Sequence, residues 1–162
     1  MTLPPKVRDY LLTGLAGTPD VLDGLLKAIP SGDPLWDFRP DPARFTLREI
    51  VAHLADWEPI FLERATRTRN ENQPTLPDID EGRLAVEHGY AHSDPHESLA
   101  RFRKGRVTLV ALLRSLEEAD WERRAVRETI GPMTLAAQMV LALGHDGYHT
   151  QQVAQWLEAG RR

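Results

Sequence analysis

The sequence predicts an all-α protein, a four-helix bundle with one long crossover connection. Three observations carry that expectation. Apolar residues recur every three or four positions in four stretches of roughly 20 residues, the spacing of one helix face. No stretch alternates apolar and polar residues convincingly, as a half-buried strand would. Helix-start chemistry, Thr18-Pro19, Thr46 followed by Glu49, and Asp94-Pro95, stands ahead of the apolar patterns.

Taken in order, Val7, Tyr10, Leu11 and Leu15 form a first apolar set, which Gly17-Thr18-Pro19 interrupts. Thr18 before Pro19 reads as an N-cap with proline at the first helical position. Val21, Leu22, Leu25, Leu26 and Ile29 then resume the helical spacing, and residues 30–34 end it. The connector 35–44 holds Trp36 and Phe38, whose rings are expected to pack under the helices. Thr46-Leu47-Arg48-Glu49 is a capping box. It opens a helix to about residue 69 whose inward stripe includes Ile50, Val51, Leu54, Trp57, Ile60 and Phe61, with Pro59 expected to kink it or weaken the turn before it. Residues 70–80 form a second connector, followed by a short helix over 81–90. Asp94 caps a third long helix to about residue 118, with Leu99, Phe102, Val107, Val110, Leu113 and Leu116 facing inward. Gly131-Pro132-Met133-Thr134 leads into the last helix, 135–158, which Gly160 closes.

Composition narrows the chemistry. The 162 residues suit a single domain, 1–162, with no internal repeat. The absence of Cys excludes disulfide scaffolds, thiolate zinc modules and thiol nucleophiles, leaving six His and the carboxylates as the reactive side chains. A formal charge of −4 argues against a broad nucleic-acid surface. The Arg101, Arg103, Lys104, Arg106 cluster and the Arg64, Arg67, Arg69 cluster read as solvated helix faces. The opening Met-Thr-Leu-Pro-Pro-Lys lacks a signal-peptide layout, and no apolar run approaches the ~20 residues of a membrane span, so a cytoplasmic protein is expected. No phosphate loop or serine-nucleophile elbow appears.

The sharpest local signal is His145-Asp146-Gly147-Tyr148-His149. Residues four apart share a helix face, so the two imidazoles can converge on one ion. Gly144 and Gly147 each cost about 1 kcal/mol against alanine inside a helix, which points to a need for space or close backbone approach. His53 lies on the inward stripe of the second helix. Together, His53, His145 and His149 make an all-nitrogen set from two facing helices, suited to a divalent metal with positions left for water. Zinc or nickel comes first, with iron or manganese as alternatives. Glu49 and Asp56 could orient His53 or serve capping and solvation. Asp146 either supports the site from behind the histidines or is exposed, with exposure favoured, and Gln152 faces either the site or a neighbouring helix. His88, His92 and His96 cannot share one face across Asp94-Pro95 and read as connector residues.

In layout the chain resembles the DinB/YfiT-like superfamily of metal-binding four-helix bundles. The matching stretches are Thr18-Pro19, Phe45-Thr46-Leu47-Arg48-Glu49-Ile50-Val51-Ala52-His53-Leu54, Gly131-Pro132-Met133-Thr134-Leu135, and the run from His145 through His149-Thr150-Gln151-Gln152-Val153. Asp146 and Gly147 depart from the commoner Glu and bulkier residue between the two histidines. The resemblance implies a divalent metal on His53, His145 and His149, and often a homodimer. It implies no single reaction, since the superfamily mixes metal-dependent hydrolases with thiol-dependent S-transferases and isomerases.

Three functions follow. The first is a hydrolase in which the metal activates water for attack on a small-molecule substrate. The second is a transferase or isomerase that uses a small thiol as cosubstrate, because the chain itself has none. The third is a non-catalytic metal-binding or stress-related bundle. No nucleic-acid or membrane partner is expected.

Overall fold

The computed structural model describes residues 3–160. Four long helices dominate: α1 (Pro5–Leu26), α2 (Leu47–Asn70), α4 (Pro95–Arg114) and α6 (Leu135–Gly160). Two short helices, α3 (Glu81–Glu87) and α5 (Glu118–Glu122), lie in the connections. The helix starts follow the expected chemistry. Thr46 Oγ1 accepts from the Glu49 N–H at 3.2 Å while the Glu49 carboxylate accepts from the Thr46 N–H at 2.8 Å. Asp94 accepts from the His96 and Glu97 N–H groups, both at 2.9 Å.

The break expected at Gly17-Thr18-Pro19 does not occur. α1 runs continuously through Pro19, which is buried. A proline inside a helix deprives the carbonyl four residues earlier of its N–H partner. Here that carbonyl is Leu15 O, and the guanidinium of Arg106 on α4 donates to it at 2.8 Å. Thr18 is therefore a mid-helix residue, its single hydroxyl proton shared between Gly14 O at 3.2 Å and Asp146 Oδ2 at 3.0 Å. α2 likewise continues through Pro59. The third long helix ends at Arg114, and the short helix at Glu87 is followed by a 3-10 turn over Tyr90–His92.

A small sheet is the main departure from the all-helical reading. β1 (Thr75–Leu76) pairs parallel with β2 (Arg124–Arg127), which pairs antiparallel with β3 (Gly131–Thr134). Its strands have two to four residues and no alternating apolar pattern, so period-two reasoning has nothing to detect. Gly131, at φ 89°, takes the left-handed backbone that the turn into β3 requires. β3 passes directly into α6, where the Leu135 N–H donates to Arg123 O at 2.8 Å.

α1 and α2 each pack on both α4 and α6, so the first two long helices face each other diagonally. Two apolar clusters fill the bundle. One gathers Leu11, Leu15, Phe61, Leu109, Leu113 and Met139; the other gathers Leu22, Ile50, Leu54, Phe102, Val153 and Leu157. Buried polar side chains lie between these sets: Thr18 on α1, Glu58 on α2, Arg106 on α4, and Asp146 and His149 on α6. On α4 the buried phase runs Leu99, Phe102, Arg106, Leu109 and Leu113, whereas Val107 is 66% exposed. Arg106 thus occupies a core position that the apolar pattern assigns to Val107. Arg64 is also buried, so each of the two basic clusters gives one arginine to the interior. No helix among the described residues is long and apolar enough to cross a membrane.

Candidate metal centre

α2 carries His53 and α6 carries His145 and His149, and the helix packing brings the three rings together. One nitrogen from each lies within 4.8 Å of the others. His53 Nε2 and His145 Nε2 are 2.9 Å apart, and the ring centroids of His145 and His149 are 4.6 Å apart. Among the described residues this is the one group of three or more His, Asp or Glu side chains close enough to share an ion.

The electrostatics keep the set neutral. Burial pushes His53 down to about 2, aided by the His149 and His145 rings. Burial also pushes His145 down to about 4, with the Arg106 cation adding to it. His149 is lowered to about 4 by burial and then by His145, against the opposing hydrogen bond from Gln152. At neutral pH the three therefore present nitrogen lone pairs.

Gln152 fixes one tautomer. Its amide NH₂ donates to Phe45 O at 3.2 Å, so its oxygen faces His149 Nδ1, at 3.2 Å. His149 must then carry its proton on Nδ1, which leaves Nε2 as a lone pair. The Trp156 indole donates to the same Phe45 carbonyl at 2.8 Å, anchoring the connector that delivers it. His53 Nδ1 and His145 Nδ1 are buried and have no hydrogen-bond partner among the described residues. These two rings are held by aromatic packing instead. Trp57 lies 5.2 Å from His145 and 5.9 Å from His53, while Phe45 lies 5.2 Å from His53.

This donor set fits a divalent cation. Two neutral imidazoles with Nε2 atoms 2.9 Å apart must place a shared proton between them or oppose two lone pairs. A cation among the three nitrogens removes that repulsion, and tetrahedral zinc asks for N···N separations of about 3.3 Å. A cavity of about 480 Å³ opens beside His145 and His149, lined also by Arg44, Phe45, Tyr148 and Gln152. A larger depression, about 590 Å³ between Pro5 and Trp121, contains no histidine.

Several expected roles change. Asp146 is buried rather than exposed, at 1% accessibility, and points away from the histidines to Arg106, with contacts of 2.5 and 3.0 Å. Glu58 completes the ion cluster, accepting from Arg106 Nη2 at 2.6 Å. Burial alone would lower the Arg106 pKa, but its hydrogen bonds to Asp146 and Glu58 outweigh burial and raise it. Burial also pushes the Glu58 carboxyl upward, against the stabilising Arg106. Neither Glu49 nor Asp56 orients His53. Glu49 stays in its capping box and meets Arg39, while Asp56 binds Arg101 and, at 2.6 Å, His88 Nδ1. His96 bonds Ile29 O at 2.8 Å, so the connector histidines do not converge. A Cβ on Gly144 or Gly147 would meet nothing within 4 Å, so neither glycine marks a close approach. The tight contact is at Gly105, where a Cβ would lie 2.4 Å from Glu58 Cβ.

Sequence reasoning missed Arg44 and the Glu58–Arg106 pair. Only Arg106 left a signal, because it falls in phase with Phe102, Leu109 and Leu113.

The family model of the DinB superfamily matches residues 15–153. YfiT from Bacillus subtilis, described as a probable metal-dependent hydrolase with an unusual four-helix bundle topology, superposes with a TM-score of 0.90 at 22% identity. That alignment covers 98% of this chain and 90% of YfiT. A Streptococcus pneumoniae protein aligns with a TM-score of 0.72 at 17% identity, covering 98% of this chain and 94% of its own. At these identities the likeness is one of fold. No curated protein matches the sequence significantly.

Proposed function

The chain belongs to the DinB superfamily, and from that premise we propose that it is a metal-dependent hydrolase whose divalent ion is held by His53, His145 and His149. The observation that carries this reading is the convergence of three imidazole nitrogens within 4.8 Å, supplied by two helices and held neutral chiefly by desolvation. Zinc or nickel suits an all-imidazole set best, with iron or manganese as alternatives. Bound there, such an ion supplies Lewis acidity and lowers the pKa of a water from 15.7 to about 7. The chain's own residues do the positioning: Gln152 holds the His149 tautomer, Trp57 and Phe45 wedge His53 and His145, and the adjoining cavity admits a small molecule.

In a second reading the site acts on a thiol, which must come as a cosubstrate because the chain has no cysteine. The same site could activate a thiol supplied as cosubstrate, giving an S-transferase or isomerase. In both readings the protein works in the cytoplasm on a small-molecule substrate. Its charge of −4 suits neither nucleic acid nor an anionic membrane surface. Val140, Leu141 and Tyr148 are exposed on α6, which supports a homodimer.

Elemental analysis of purified protein beside His149→Ala, followed by ester and amide panels and by small thiols with an electrophile, tests the proposal. Metal present in the wild type and lost in the variant, with activity that follows the metal, is the expected result. Full metal in His149→Ala overturns the ligand assignment, and turnover that survives metal removal overturns both enzymatic readings. Metal that raises the melting temperature without any turnover would favour the non-catalytic bundle.

A further inference from the structure

Arg44 is the arginine that lines the cavity beside His145 and His149. Arg39, Arg48, Arg101, Arg103 and Arg106 each meet a carboxylate. Arg44 makes no ion pair with a described residue. Its guanidinium carbon sits 4.6 Å from the Trp156 ring centroid and 5.4 Å from that of Tyr148. Among the described residues its one side-chain hydrogen bond runs from Nη1 to Gln155 at 3.3 Å, and its Nε is buried without a partner there.

Stacking of this kind costs little desolvation and holds the planar group in one orientation while leaving its edge free. That orientation matters because Arg44 lines the same cavity as His145 and His149. With the imidazoles neutral, the charged residues lining the cavity are Arg44 and Glu81. A dianion would set two charges against one guanidinium and face Glu81 as well. A single carboxylate matches both the charge and the paired N–H donors of the guanidinium fork.

We propose that Arg44 is a specificity-determining residue that binds a carboxylate on the substrate and thereby seats the substrate's reacting end beside the histidines. This rests on the reading of His53, His145 and His149 as the metal centre, and it narrows the substrate class to monocarboxylates. The apolar walls, Phe45 and Tyr148, favour a carboxylate carried on a flat or hydrocarbon body.

The test uses benzoate and its neutral isostere benzamide as probes, titrated calorimetrically into the full chain, both zinc-loaded and metal-free. The metal-free titration removes any carboxylate–metal contact. Wild-type protein is expected to prefer benzoate by about tenfold or more in both forms, the scale of one charge-assisted hydrogen-bonded pair. Arg44→Gln is expected to lose that preference in the metal-free form while its zinc stoichiometry stays at the wild-type value. Arg44→Met, which keeps an apolar stem against Trp156, serves as the second variant should the first fail to fold. A wild type without preference in the metal-free form overturns the proposal, as does either folded variant that retains it. Zinc stoichiometry of zero in the wild type overturns the metal centre instead, and the metal-free titration still decides the role of Arg44.

Discussion

The guanidinium of Arg106 donates to the Leu15 carbonyl at 2.8 Å, taking the place of the backbone N–H that Pro19 lacks. One side chain from α4 thereby mends α1, while its remaining N–H groups hold Glu58 of α2 and Asp146 of α6. Four helices meet at this cation, and its partner Asp146 directly follows His145 in the chain.

Removing that cation leaves two buried carboxyls and a bare carbonyl. Arg106→Met is expected to cost about 3–5 kcal/mol in urea unfolding. Pro19→Ala in the same background restores an N–H for Leu15 O and recovers about 1 kcal/mol. A double-mutant cycle in which the two substitutions are simply additive would refute the link.

The glycines separate by what surrounds them. Gly105→Ala pushes a Cβ to within 2.4 Å of Glu58 Cβ, which is fixed to the α2 backbone, and is expected to destabilise by about 1–3 kcal/mol. Gly144→Ala and Gly147→Ala meet nothing within 4 Å and are expected to stabilise α6 by about 0.5–1 kcal/mol each. Thermal melts of the three variants check the ordering.

In the metal-free protein, stability is expected to fall on acidification. The unfolded chain protonates its histidines near pH 6.5, whereas folded His145 and His149 resist until about 4 and His53 until about 2. Below pH 6.5 the unfolded state binds more protons, so unfolding becomes easier as pH drops, on the order of 1 kcal/mol per group per pH unit. Above pH 7 these groups contribute no slope. Urea midpoints measured across this range would be flat through pH 5 if the histidines were solvated.

Gln152→Leu deprives His149 Nδ1 of its acceptor and frees the tautomer. Metal affinity is expected to weaken about 10–100-fold. Competition with a chromophoric chelator reads the loss, and unchanged affinity would show that ring packing alone positions His149.

Trp57→Leu removes the ring wedged against His53 and His145, whose Nδ1 atoms have no polar partner among the described residues. Metal affinity is expected to drop in this variant also, by about tenfold, together with a loss of stability of about 1–3 kcal/mol from the smaller core residue. A variant that binds metal as the wild type does would mean that the two rings keep their places without it.

The sequence alone determined the helical class, the caps at Thr46 and Asp94, and the shared helix face of His145 and His149, which His53 joins only through the packing of α2 on α6. These are local or periodic properties: a cap acts within one turn, and residues four apart on a helix share a face whatever surrounds them. Tertiary structure decided the rest, because it depends on which atom from a distant helix arrives. Pro19 is a helix breaker until Arg106 supplies the missing donor. Asp146 and Arg106 are surface charges until each is buried against the other. Val107 and Arg106 are adjacent in the chain, and only the docking of α4 between α1 and α2 settles which one turns inward. The sheet stayed hidden for the same reason, since its two- to four-residue strands are defined by their partners and by no pattern of their own.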